Sequence, residues 1–405
     1  MIETNELIKI AEQFGTPSFV FDVDELYSRV DRIEEILGCG VTLCYAMKAN
    51  PFLVRPLDKR LDKFEVCSPG EFAICDKEEV NRDKIVLSGV NKEKKDILSV
   101  MKTGSVGIYT VESMNQLKLI NASALECGIK VNVLLRVTSG NQFGLNELDI
   151  YRIVENRENY KGIIIEGIQC YSGTQKKKMA QIEGELTWLK AIVLKCEADY
   201  GFSLKEIEYG PGLSVDYFVN DHCDAKNSSF DDLKELSEMI KEMSDKFKIT
   251  LEVGRYLAAT CGVMLSRIAD VKMNGTQRYA IIDSGINHIN YYGQAMAMKV
   301  PRIDIVASEH IAGSDCDAVE AYAEGLQPWN ICGSLCTVGD VLVKNLQIKD
   351  AKIGDMLVFY NLGAYSVTEG IYLFLSRRMP AVVMYSKRTG YKMVRKPIET
   401  WEINS

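Results

Sequence analysis

The strongest constraint in this chain is a rhythm. Between residues 41 and 253, short apolar runs at 41–46, 64–67, 85–88, 106–110, 131–137, 163–171, 206–209 and 249–253 read as strands. Amphipathic helical patterns such as 113–127, 186–200 and 230–247 fall between them. Many of the runs are apolar at successive positions, the pattern of strands buried on both faces. Strand and helix in regular alternation imply parallel strands with crossover helices, and eight such units in about 240 residues imply a closed (β/α)8 barrel. An open doubly wound sheet would want a glycine-rich turn after its first strand, and Met47-Lys48-Ala49 is not one.

After residue 260 the rhythm changes. Runs at 263–268, 279–283, 340–343 and 356–360 lack long helices between them, and 382–385 and 391–394 flank Lys387-Arg388-Thr389-Gly390, a hairpin turn signal. The expected organisation is a barrel over residues 24–260 and a β-rich domain made of 1–23 and 261–405, the strand at 19–21 completing the latter. Asp24 is expected to cap a helix whose Leu26, Val30, Ile33 and Leu37 share one face.

Composition removes several function classes. The net charge of -8 argues against nucleic acid or an anionic membrane as main partner, and no apolar run approaches the ~18 residues of a membrane span. The acidic, helically spaced N-terminus does not read as a signal peptide. Twelve scattered cysteines then read as reduced thiols of a cytoplasmic protein. Three histidines (His222, His288, His310) and no paired Cys-x-x-Cys elements leave little from which to build a zinc site.

In such a barrel, chemistry sits at the C-terminal strand ends. The first strand stops at Lys48, followed by Asn50-Pro51, a cap and first-turn pair. A lysine there is either a snorkelling strand end or a desolvated amine held near neutrality for attack on a carbonyl. The sixth strand ends in Gln169-Cys170-Tyr171-Ser172-Gly173-Thr174, the seventh in Tyr209-Gly210-Pro211-Gly212 and the eighth in Glu252-Val253-Gly254-Arg255. Glycine turns, a hydroxyl and an arginine make an anion site suited to phosphate, although the glycines alone also fit an ordinary tight turn. Glu252 either pairs with Arg255 or faces a protonated ring nitrogen. A reactive lysine, a phosphate site and such a carboxylate together describe pyridoxal 5′-phosphate (PLP).

The chain resembles the fold-type III PLP decarboxylases, the family of diaminopimelate and ornithine decarboxylases, over nearly its whole length. The resemblance rests on Tyr45-Ala46-Met47-Lys48-Ala49-Asn50, Phe64-Glu65-Val66-Cys67-Ser68, Gln142-Phe143-Gly144, Glu252-Val253-Gly254-Arg255, Asp283-Ser284-Gly285, Gly333-Ser334-Leu335-Cys336 with Gly339-Asp340, and Gly363-Ala364-Tyr365. It implies an alanine racemase-like barrel of the decarboxylase type with a C-terminal β-rich domain. Lys48 would hold PLP as an internal aldimine, Glu252 would pair with the pyridine nitrogen, and Gly210, Gly212, Thr174, Arg255 and Tyr365 would bind the phosphate. Glu65, Tyr171 and Gly254 belong to the same implied cofactor site, and Arg136 and Thr337 to the substrate. Cys336 would protonate the quinonoid after carbon dioxide leaves, reaching the site from the other subunit of a homodimer. Read from its surroundings alone, Cys336 is a small core residue.

The departures from the family pattern are informative. Tyr171 stands where an imidazole normally stacks, Pro211 removes a backbone donor from the phosphate turn, and the loop after Arg136 is short. Thr337 replaces the acid that contacts the distal end of a diamino acid. The Cys336-Thr337 pair and Gly173-Thr174-Gln175 look more like the branch acting on acylated or carrier-linked amino acids. The expectation is therefore decarboxylation of a modified or carrier-linked amino acid. Alternatives are diaminopimelate decarboxylation in lysine biosynthesis, or a PLP-binding homologue without activity. A racemase of this fold would place arginine where Glu252 stands.

Overall fold

The apolar runs do form parallel strands, and the first strand of the barrel hydrogen-bonds to the last. A computed structural model describes residues 2–219, 229–308 and 325–405. Strand β1 (Ser18–Asp22) precedes the barrel, which consists of β2 (Val41–Ala46), β3 (Lys63–Val66), β4 (Ile85–Leu87), β5 (Ile108–Val111), β6 (Val131–Arg136), β7 (Ile163–Tyr171), β8 (Glu206–Gly210) and β9 (Lys248–Val253). These pair in sequence order, and β2 closes on β9 with Cys44 opposite Glu252. The helices Met114–Glu126, Met179–Tyr200 and Asp231–Ser244 stand near the expected helical stretches. Closure demands close backbone approach where β7 meets β8: a Cβ on Gly167 would lie 1.8 Å from the Glu206 carbonyl oxygen.

The chain divides into two compact units. One comprises Val30–Ser214 and Phe230–Tyr256, the other Met1–Arg29, Val215–Ser229 and Leu257–Ser405. The second is β-rich: β10 (Gly262–Asn274), β11 (Gln277–Ile282), β12 (Ile303–Val306), β13 (Gln327–Cys332), β14 (Val341–Ile348), β15 (Met356–Phe359), β16 (Ala381–Ser386) and β17 (Gly390–Arg395) join β1 in one sheet. Strand β1 lies between β10 and β16, and β16 and β17 form the hairpin signalled by Lys387–Gly390. Strands β12 and β13 have no counterpart among the expected runs.

Two local expectations are corrected. The helix Val23–Leu37 is capped by Asp22, whose Oδ1 accepts from the N–H groups of Asp24 and Glu25, while Asp24 accepts from Ser386 and Lys387. Lys48 is not the last residue of a strand: β2 ends at Ala46 and Lys48 lies inside a 3-10 turn, Met47–Ala49. Asn50 and Pro51 do act as cap and first-turn pair: Asn50 accepts from Phe52 at the start of the next such turn, Pro51–Leu53. His222 and His310 lie outside the described residues, and His288 is buried, its imidazole pushed down to about 3 by burial. The described cysteines are all free. Among the described residues no helix is long and apolar enough to cross a membrane, and no cluster of three or more His, Cys, Asp or Glu side chains is placed to hold a metal.

The barrel interior is polar where β3, β8 and β9 face one another. Lys63 bonds to Glu206 and reaches within 3.8 Å of Glu208, and Thr250 donates to Glu206 at 2.7 Å. Burial, with repulsion from Glu206 and Glu65, pushes the Glu208 carboxyl up to about 7, although Lys63 opposes the rise. An acid whose folded pKa is raised holds its proton more tightly when folded, so stability falls as pH rises from about 4.5 to 7 and levels off above. At ~1.4 kcal/mol per unit the loss is roughly 3 kcal/mol. Denaturant unfolding of Glu208→Gln against the unchanged protein between pH 5 and 8 should remove this component of the slope; parallel curves would show that Glu208 does not titrate there.

Candidate active site

The turn after β2 is pinned from both sides. Tyr45 donates its hydroxyl to the Asn50 carbonyl at 3.0 Å, and the Asn50 side chain caps the next turn. This places the Lys48 Nζ 2.7 Å from Glu65 Oε2, 3.5 Å from Glu252 Oε1 and 3.9 Å from Cys67 Sγ. The β2–β3 and β2–β9 registers bring these groups together: Ala46 is opposite Glu65, and Cys44 opposite Glu252. Ser68 then caps the helix Pro69–Lys77, and Glu71 reaches back to the Cys67 N–H at 2.6 Å, fixing the far wall.

The electrostatics differ from a lysine held near neutrality. Burial pushes the Lys48 amine down, but Glu65 and Glu252 outweigh it and hold the pKa well above the ordinary value. Burial raises both acids; Lys48 brings Glu65 down to about 2, whereas Glu65 repulsion adds to burial and leaves Glu252 well above the usual range. Glu65 is the ionised partner of Lys48, and Glu252 is the acid that retains a proton until a cation reaches it. The ordinary-strength candidate for a neutral amine is instead Lys92, lowered by burial to about 8. It lines a cavity of about 160 Å3 with Cys67, Ser68 and Ser88, and its Nζ donates to the Gly89 carbonyl at 2.6 Å and to Gln116 at 3.2 Å.

The ends of β7, β8 and β9 form one cradle. Gly212 has φ +62°, and a Cβ there would lie 1.9 Å from the Gly173 carbonyl oxygen; a Cβ on Gly210 would meet the Tyr171 ring at 2.7 Å. Lys176 N–H donates to the Gly212 carbonyl at 2.9 Å, and Arg255 Nε to Thr174 Oγ1 at 3.3 Å. Gly254 packs against Ala49 and Ala46. Glu185 anchors the cradle from outside, accepting from Ser172, Lys176 and Tyr209 at 2.6–2.7 Å. The Tyr171 ring centre lies 5.8 Å from Lys48 Nζ. Lys48, Glu65, Tyr171, Thr174, Gly210, Gly212, Glu252, Gly254 and Arg255 therefore share one end of the barrel. Their side chains and turns suit PLP: an amine for the aldehyde, a carboxylate for the ring nitrogen and a glycine-lined turn with an arginine for the phosphate.

Arg136 is not a free cation. Buried at the end of β6, it lies 3.2 Å from Glu112 and 4.8 Å from the Phe143 ring centre. In the other unit, Cys336 and Thr337 are exposed in a turn clamped by Asp340, whose carboxylate accepts from Ile286 N–H at 2.8 Å and Leu335 N–H at 2.7 Å. Tyr365 has φ +68°, and its carbonyl accepts from Thr368 and Glu369 N–H. Sequence reasoning missed Lys63, Lys92, Glu112, Glu185 and Glu208, and gave Gln169 no role. Period-two counting back from Glu65, Gly210 and Glu252 would have flagged Lys63, Glu208 and Thr250 as facing the same interior.

A match to the family described as "Pyridoxal-dependent decarboxylase, pyridoxal binding domain" covers residues 23–259. The diaminopimelate decarboxylase of Zymomonas mobilis is 26% identical over 95% of this chain and 91% of its own length. That of Methanocaldococcus jannaschii is 25% identical over 98% and 92%. The crystal structure of diaminopimelate decarboxylase from Helicobacter pylori complexed with L-lysine superposes with a TM-score of 0.82 at 20% identity, covering 98% of each chain. The parallel barrel with a separate β-rich sheet is thus the alanine racemase-like fold of PLP decarboxylases. With more than half its length matched across the segment that holds Lys48, Glu65, Glu252 and Arg255, the chain belongs to the pyridoxal-dependent decarboxylases and is a carboxy-lyase that uses PLP.

Proposed function

We propose that the protein decarboxylates a free amino acid of the diaminopimelate type at Cα, with Lys48 as the residue that binds the cofactor aldehyde. The observation that carries the chemistry is the position of Glu252, a buried carboxylate 3.5 Å from Lys48 Nζ. When bound, PLP supplies an electron sink for the pair released at Cα. Glu252 would keep a proton on the ring nitrogen, which that sink requires. Lys48 must lose its own proton before its amine can bond to carbon, and Glu65, 2.7 Å away, holds that amine in place. Gly210, Gly212, Thr174, Gly254 and Arg255 would hold the phosphate, joined by Tyr365, and Tyr171 would lie against the ring.

The binding domain in this reading spans residues 24–260, and the β-rich remainder carries Cys336 and Tyr365. Cys336 would return a proton to Cα from a second copy of the chain, in a homodimer with shared sites, and Arg136 and Thr337 would face the substrate. The paired state of Arg136 suits a positioning role through Glu112 rather than a free anion hook. The similarity to diaminopimelate decarboxylases supports diaminopimelate. Thr337 supports a second reading: without an acid there, a free distal ammonium loses a partner, which suits an acylated or carrier-linked amino acid.

Carbon dioxide release from meso-diaminopimelate, ornithine, their N-acylated forms and carrier-linked amino acids separates these. The first reading predicts fastest release from free meso-diaminopimelate. A tenfold or greater preference for a modified substrate would replace it with the second, and no release from any would remove both. Cys336→Ala should retain the visible band of bound PLP while kcat falls by about 10²-fold, the range of general acid catalysis. Unchanged turnover and product would take Cys336 out of the mechanism.

A further inference from the structure

Glu208 takes no part in the reading above, yet it is fully buried, and its Oε2 has no hydrogen-bond partner among the described residues. It is linked in two directions. Toward the site, Gln169 Nε2 donates to Glu208 Oε1 at 3.1 Å and to Glu252 Oε2 at 3.3 Å. Away from the site, Lys63 Nζ stands 3.8 Å from Glu208 and bonds to Glu206, which Lys248 reaches at 3.2 Å. A row of charged and polar groups therefore runs through the barrel from Lys48 to Lys248.

We infer that Gln169 and Glu208 are positioning residues for Glu252. The Gln169 amide, oriented by Glu208, fixes the direction and ionisation of that carboxylate, and Lys63 tunes the relay from behind. The inference rests on Glu252 facing the ring nitrogen of the cofactor. One amide nitrogen with a hydrogen on each carboxylate favours the charged form of both. Without it, two acids would face each other across a buried gap. The groups facing Glu208 are Lys63 and Glu65 of β3, Glu206 of β8, Gln169 of β7, Glu252 of β9 and Cys44 of β2. Four interior carboxylates (Glu65, Glu206, Glu208, Glu252) meet three lysines (Lys48, Lys63, Lys248), of which Lys248 is half-exposed. With Glu252 protonated the row balances, and ionising Glu252 leaves it one positive charge short, which a protonated ring at that end would supply.

The test uses holoenzyme variants Gln169→Leu, Glu208→Gln and Lys63→Gln, with Glu252→Gln as reference. The readouts are the PLP dissociation constant, the pH midpoint at which the visible cofactor band titrates, kcat, KM and the melting temperature. Gln169→Leu should raise the dissociation constant about tenfold. Removing the Glu208 charge should lower the alkaline midpoint by about one pH unit and kcat about tenfold with KM within twofold. Lys63→Gln, remote from the cofactor, should move the midpoint the opposite way. A merely structural role would move melting alone. Midpoints and dissociation constants equal to the unchanged enzyme, while Glu252→Gln shifts both, would overturn the relay. If Glu252→Gln also shifts neither, the assignment of Glu252 fails and the relay with it.

Discussion

Everything at the mouth of this barrel depends on one buried arrangement: an amine between two carboxylates. Lys48 lies 2.7 Å from Glu65 and 3.5 Å from Glu252, with its side chain 36% exposed and both acids nearly closed to solvent. Either acid alone in that position would be driven toward its neutral form, and two would repel strongly. Lys48 resolves this for Glu65, leaving Glu252 as the group that gains most from a second cation. In the reading proposed for Glu252, a protonated aromatic nitrogen would be that cation, selected electrostatically before any specific contact forms.

The barrel accepts this charge because its interior is not a uniform apolar core. Gln169, Glu208, Lys63, Thr250 and Glu206 continue the polar row inward, each on an inward-facing position of β3, β7, β8 or β9. Such a row costs desolvation energy, since β8 is buried along its whole length and β9 at every position after Lys248. A compensating benefit is directional: carboxylates with fixed donors keep one orientation, which a reacting centre needs.

The eight-stranded rhythm was legible because parallel barrel strands are buried on both faces, which leaves long apolar runs in the sequence. The location of Lys48, Glu252 and the glycine turns followed from their places at strand ends. Other features were hidden for physical reasons. Strand β12 carries an acid, Asp304, within Ile303–Val306, and β13 carries Pro328 and Asn330, so neither shows a clean apolar run. The cap Asp22 was read two residues late because Asp24 is an equally good cap by residue type. The Arg136–Glu112 pair joins strands β6 and the end of β5, and no local pattern announces a cross-strand partner. The charge state of Lys48 also escaped residue-by-residue reading, since it is decided by two carboxylates 17 and 204 positions away in the chain.

Acidity alone would choose the wrong lysine. Lys92, lowered to about 8, is neutral more often than Lys48, yet its Nζ is held by Gly89 and Gln116 away from the Glu65–Glu252 pair. The central claim is that position relative to Glu252 and the phosphate cradle, rather than ease of deprotonation, selects the amine. The most direct measurement is borohydride reduction of the PLP-loaded protein, followed by digestion and mass mapping of the phosphopyridoxyl group. A single adduct on Lys48 is the predicted result; an adduct on Lys92, or on any other lysine in preference, would contradict the account.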